Sequence, residues 1–252
     1  MTPQPVRRGF DPDDIRQFSD EALPLLQTAQ EEMCWLMNRG YPMGSVTELV
    51  GGHHQLTARQ RIALQRATAT ERQCAIRQAT QMSMSEARGR LVLIDGFNLI
   101  ITLEVALSGS ILILGMDRVI RDLAGLRGTY RLITQTEQAI ALIGQSLAEL
   151  DVSEALFYLD ANVSNSGRLR RMILDKAVTW MTPVSAELVP NADTCLKGKP
   201  LIVTGDSFVI DACQSWINLS ARIVMDKIPN AWIVQLHESK SGPACRKACF
   251  SI

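Results

Sequence analysis

Three apolar runs in this chain stop on an aspartate: LVLID at Asp95, ALFYLD at Asp160 and LIVTGD at Asp206. A short apolar run closed by an acid is the pattern of a buried parallel strand whose carboxyl end opens into a site. In a doubly wound sheet those ends lie together along one edge. Carboxylates gathered there repel one another unless a cation lies between them, and hard oxygen donors that retain waters suit Mg²⁺ or Mn²⁺ better than zinc. Asp193, in VPNADTCL after another apolar run, supplies a fourth acid for the same edge. The expected metal ligands are Asp95, Asp193 and Asp206. Asn98 and Asp160 would orient an attacking water, whose pKa the metal lowers. A simpler reading stands beside this one, in which each acid caps the helix that follows it. It is stronger for Asp206, which precedes SFVIDACQSW, than for Asp95, which precedes Gly96 and Asn98. Asp122 and Glu137 are further acids, and Glu137 lies in a first helical turn, where the helix dipole alone accounts for it.

The segment NVSNSGRLRR follows Asp160. Ser164, Ser166 and Arg168 would present hydroxyls, a helix start and a guanidinium to a substrate phosphate. A Ser-capped helix with a solvated basic face would have the same sequence. Whole-chain charge is neutral, with 26 basic and 26 acidic residues, so it carries no argument for nucleic acid or membrane. Charge distribution is more informative: between Arg59 and Arg90 there are seven Arg against two Glu. Arg59, Arg66 and Arg77 are therefore the expected salt-sensitive contacts to RNA. The order of short helices, a Gly-Gly pair and an Arg-bearing helix loosely resembles a helix-turn-helix, and it fits a small packing module with a solvated Arg face better.

The elements that must position these residues divide the chain into a helical domain at 1–88, an α/β domain at 89–238 and a tail at 239–252. Helices are expected from Ser19 to Gly40, from Gly44 to Leu56 with a break at Gly51-Gly52, and as one segment from Thr57 to Thr80. MSMSEARGR at 82–90 reads as a linker. Beyond it, short apolar runs alternate with amphipathic segments, the signature of a parallel sheet. Strands are expected at 91–95, 155–160, 184–189, 201–205, 221–225 and 232–236, and helices at 117–125, 136–150, 166–180 and 207–217. The longest apolar runs fall short of the about 20 residues a membrane helix needs. Six scattered cysteines without CxxC spacing, and no signal-peptide pattern at the start, give a cytoplasmic expectation.

At DGFN, RDLAGLRGTYR, LDANVSNSGRL and VTGDSFVID the chain resembles an uncharacterised prokaryotic family of two-part proteins, from about Arg39 to Leu236. That resemblance implies a small all-α domain of unknown function followed by a PIN-like three-layer α/β domain. PIN and NYN ribonuclease domains surround a divalent metal with a first-strand Asp and later acids on a 3-2-1-4-5 sheet. Carried over, the pattern falls on Asp95 and Asn98, then Asp193, then Asp206. Where those nucleases often place one more acid, Ser207 and Phe208 stand here, and the next acid is Asp211. The implied function is metal-dependent cleavage of RNA, with RNA and, as an option, a second copy of the chain as partners. One alternative is a non-catalytic RNA- or partner-binding protein on the same scaffold. A lower-ranked one is a haloacid-dehalogenase-like phosphatase, which LVLIDG and GDSFVID resemble. That class needs a second Asp two residues after the nucleophile, and Phe97 occupies the place.

Overall fold

The computed structural model describes residues 6–125 and 128–237, so the expected tail, with Cys245 and Cys249, lies outside the described residues. The chain begins with helices α1 (Asp14–Gln17), α2 (Leu23–Met37), α3 (Met43–His53), α4 (Ala58–Ala67) and α5 (Glu71–Thr80). Helix α3 runs unbroken through Gly51-Gly52, and Gly51 lets the Arg61 side chain lie against the helix where a Cβ would come within 2.7 Å of it. The segment expected as one helix from Thr57 is two. Thr57 and Thr70 each form a capping box, with Gln60 and Gln73 respectively, and the second box restarts the helix after extended Thr68.

After a 3-10 turn at Met84–Ala87 come β1 (Leu91–Asp95), α6 (Gly96–Leu107), β2 (Ile111–Leu114), β3 (Ile120–Asp122), α7 (Thr134–Glu149) and β4 (Glu154–Asp160). The chain continues through α8 (Ser166–Ala177), β5 (Val184–Val189), α9 (Ala192–Leu196), β6 (Ile202–Val203), α10 (Ser207–Ala212), β7 (Trp216–Ile217), α11 (Leu219–Lys227) and β8 (Trp232–Gln235). A five-stranded parallel sheet runs β5-β4-β1-β6-β7, which in chain order of its own strands is 3-2-1-4-5.

Strand β1 lies at the centre and is buried on both faces. Val92 and Ile94 join a core covered by α6, α7, α8 and α11, while Leu93 joins a core with Leu196 of α9 and Val209 and Ile210 of α10. Helices therefore cover both faces of the sheet. A second sheet, β3-β2-β8, lies between this body and the helical region. Along β2, Ile111 and Ile113 pack into the core built by α2, α3 and α4, whereas Leu112 and Leu114 pack into the main core. Both faces of ILIL are buried, so the strand shows no polar alternation.

Several expected elements change type. The strand expected at 221–225 is helix α11, in which Leu219 and Ile223 sit one turn apart and, with Val224, pack on the main core. The helix expected at 117–125 is strand β3 and its approach, where Arg118 adopts a left-handed backbone. The helix expected to 217 stops at Ala212, and Trp216–Ile217 becomes the edge strand. The strand expected at 232–236 forms, but in the second sheet, parallel to β2.

Candidate active site

The carboxyl end of β1 carries Asp95, which is 5% exposed. One carboxylate oxygen accepts from the Asn98 N–H at 3.3 Å and the other from the Thr204 hydroxyl at 2.8 Å. Asp95 is thus the N-cap of α6 and at the same time a buried acid facing the next strand. The two readings of that residue are compatible. Gly96 is required by packing: a Cβ there would come within 2.6 Å of Leu159 Cδ2 on β4.

The turn after β6 closes on this group. Asn98 Oδ1 accepts from the Gly205 N–H at 2.6 Å, the Asp206 N–H donates to Thr204 Oγ1 at 3.1 Å, and Asp206 Oδ1 caps α10 through the Phe208 N–H at 2.7 Å. From β4, Asp160 Oδ1 accepts from the Ala192 N–H at 2.9 Å and holds the start of α9 in place. The carboxylate of Asp193, the second residue of α9, makes no hydrogen bond or ion pair among the described residues, and its helix packs against β1, β4 and α10.

The electrostatics show how close these acids are. Burial raises the Asp95 carboxyl to about 7; hydrogen bonds from Thr204 and Asn98 oppose the rise, and Asp193 and Asp206 add to it. Burial, then Asp206 and Asp160, also raise Asp193 above the ordinary carboxylate range. No Lys or Arg ranks among the main contributors to either balance. The structure therefore brings Asp95, Asp160, Asp193 and Asp206 into one electrostatic neighbourhood, in which no basic side chain is a leading contributor to the Asp95 or Asp193 balance. Among those residues, however, no three His, Cys, Asp or Glu side chains are grouped tightly enough to hold a metal ion by themselves.

Other expected site residues lie elsewhere or are already engaged. Ser164 exchanges hydrogen bonds with the Tyr130 backbone and Ser166 donates to the Ala161 carbonyl, so both hydroxyls serve the turn. Arg168 is exposed, with one 3.5 Å contact to Asn165. It lines an open cleft of about 950 Å³ with Ala161, Asn165, Gly167, Arg171 and Lys176. Arg59 is bound to Asp14 and to the carbonyls of Gly9 and Leu123. Arg77 is 3% exposed and bridges Asp117 and Asp211. These two point inward, away from any phosphate, because Asp14 and Asp117 are buried carboxylates that need a cationic partner. Arg66 stays partly exposed, 4.0 Å from Asp122. Asp122 itself caps the turn at Ala124, and Glu137 pairs with Lys176 on the surface.

Asp117 and Arg121, which sequence reasoning did not select, form a buried pair beside the site. Their i, i+4 spacing was a signal, but it resembles an ordinary surface helix pair, and the segment is not helical.

Family comparisons agree with the two-part organisation. A family model described as a domain of unknown function (DUF5616) matches residues 84–222, more than half of the chain. The chain belongs to that family. A second model, described as a protein of unknown function (DUF434), matches residues 25–79, which cover most of α2, all of α3 and α4, and α5 up to Ala79. The chain is also 30% identical over 185 residues to the uncharacterized protein MJ0935 of Methanocaldococcus jannaschii, a match covering 73% of this chain and 88% of the relative. No solved structure matches the chain. The DUF5616 match contains all four acids of the site, and it ends before β8, which completes the second sheet.

Proposed function

We propose that the DUF5616 region is a PIN-like domain and that its acidic edge hydrolyses phosphodiester bonds in RNA with Mg²⁺ or Mn²⁺. The observation that carries this reading is the coupling of Asp95 at the end of β1, Asp206 after β6 and Asp193 at the start of α9, with no basic side chain among the leading contributors to the Asp95 or Asp193 balance. The 3-2-1-4-5 strand order supports it.

The donor set fits a hard divalent cation in chemistry. It does not form a closed cage, which suits Mg²⁺, an ion commonly held by one or two carboxylates together with waters and substrate phosphates. Asp95, Asp193 and Asp206 would share it through its waters and the substrate phosphate and not as three direct ligands, and it would lower the pKa of a bound water. Asn98 spends its carbonyl on Gly205, which leaves its amide N–H groups to orient a water or phosphate oxygen. The cleft beside Ala161 offers Arg168 and Arg171 to the phosphates of the same strand. Phe208, 85% exposed and two residues beyond Asp206, offers a ring on which a base can stack.

A second reading, a binding protein without catalysis, is favoured by one observation: the acids do not form a metal-holding group unaided. The phosphatase reading loses its proton shuttle, since Phe97 is buried edge-to-face against Tyr130.

The test is thermal melting of the protein titrated with Mn²⁺ and with Mg²⁺, wild type beside Asp95→Asn and Asp206→Asn, followed by incubation with single-stranded RNA. Stabilisation by metal that both substitutions remove, with metal-dependent cleavage, is the expected result. RNA binding without any metal response would transfer the assignment to the binding protein.

A further inference from the structure

A chain of buried polar contacts runs from the helical region to the acidic edge. Asp117 sits between two guanidinium groups. Arg121 grips it with Nη1 to Oδ1 at 2.9 Å and Nη2 to Oδ2 at 2.6 Å, and Arg77 of α5 reaches Oδ2 at 2.7 Å. Arg121 then directs Nε to the Gly205 carbonyl at 2.8 Å. Gly205 is the residue whose N–H holds Asn98, and its neighbours Thr204 and Asp206 bond to Asp95 and cap α10. Arg77 also holds Asp211 of α10 with two 2.7 Å contacts, while its own carbonyl accepts from Trp216 Nε1. Helix α10 is thus tied at its first turn to the acidic edge and near its last turn to α5.

Two features separate this assembly from ordinary surface pairing. All three central residues are buried, and two Arg and two Asp close the charge balance. Gly115 also leaves room for it: a Cβ at that position would lie 2.5 Å from both Arg121 Nη1 and Asp117 Oδ1. A buried ion pair is weak support for net stability, but displacing one partner is costly, because it leaves a charge unpaired in the interior.

We propose that Arg77, Asp117 and Arg121 are positioning residues for the acidic edge, so that the helical region completes the site from behind and does not act as a separate RNA-binding module. This rests on the acidic edge being the functional site. The helical region then supplies geometry: Arg77 fixes Asp117 and α10, and Arg121 fixes the Gly205 turn that carries Asn98 and Asp206.

The experiment compares Arg121→Lys, Arg77→Lys and Gly115→Ala with Arg59→Lys in the full chain. Lysine keeps the charge but cannot reproduce the fork. Arg59→Lys damages a comparable internal ion pair, with Asp14, and the Arg59 guanidinium makes no hydrogen bond to Asp117, Asp211 or the Gly205 turn. One readout is hydrogen exchange of the Gly205 amide, and the other is Mn²⁺ affinity, both well below the melting temperature. Arg121→Lys and Arg77→Lys should each speed Gly205 exchange by at least about tenfold, the effect of losing one charge-assisted hydrogen bond. Both should weaken Mn²⁺ binding, and Arg59→Lys should do neither. Unchanged Gly205 protection in the first two variants, or equal loss in Arg59→Lys, would overturn the proposal. A wild type that binds no Mn²⁺ but shows the selective change at Gly205 would remove the metal reading and leave the positioning role intact. If Arg121→Lys does not fold, Arg77→Lys carries the same test from the other partner of Asp117, and Gly115→Ala carries it by crowding the Arg121–Asp117 pair.

Discussion

Asp95 combines a structural and a chemical duty, and its titration exposes both. Its folded value of about 7 lies above the ordinary value of 3.8. Between those two values the native carboxyl keeps a proton that the unfolded chain has released, so stability falls as pH rises from about 4 to about 7. Each tenfold change in proton affinity corresponds to about 1.4 kcal/mol, so the residue can dominate the pH profile of the metal-free protein. Asp95→Asn, neutral at every pH, should flatten that profile and melt higher than wild type above pH 7, with the difference vanishing near pH 4. Melting curves across this range check it, and a parallel decline in both proteins would show that Asp95 is solvated. The acids at 95, 160, 193 and 206 were legible because each closes or follows an apolar run. The fates of Arg59 and Arg77 were not, since a guanidinium facing a buried carboxylate and one facing solvent are spelled alike.

Among the elements, α8 and the α4–α5 break invite separate tests. Arg168 and Arg171 project from the first turns of α8 into the open cleft, so replacing both with Ala should reduce the salt dependence of single-stranded RNA binding by about 1.4 in log–log slope, as for two lost phosphate contacts. An unchanged slope would take the cleft out of the substrate path. Thr70 caps α5 and accepts from the Gln73 N–H at 3.1 Å. Thr70→Ala should cost about 1 kcal/mol in chemical denaturation, which a continuous helix through residue 70 would not show. The mistaken elements share a cause. ARIVM and ILIL are short, largely apolar runs whose period is hidden when neighbours bury more than one face, so α11 looked like a strand and β2 was not among the expected strands.

For the whole molecule, the helical and α/β parts share a core. Ile111, Ile113, Val234 and Leu236 of the second sheet and its end pack with Leu26, Met33, Val46 and Leu64 of the helical region. The full chain should therefore melt in one calorimetric transition, and residues 84–252 expressed alone should expose that sheet face and bind a hydrophobic dye. Two resolved transitions, or a well-folded fragment, would contradict the shared core. No helix among the described residues is long and apolar enough to cross a membrane.

By itself the sequence determined the local events: strands where apolar runs end in an acid, a helix start at Thr57, and a parallel sheet where such runs alternate with amphipathic helices. These depend on neighbours a few residues away. Only the tertiary structure decided that Asp193 and Asp206 act on the buried Asp95, that Arg77 faces Asp211 across 134 positions of chain, and that ILIL is sandwiched between two cores. Those outcomes depend on strand order and on which buried charge meets which, and both are set by contacts between distant segments.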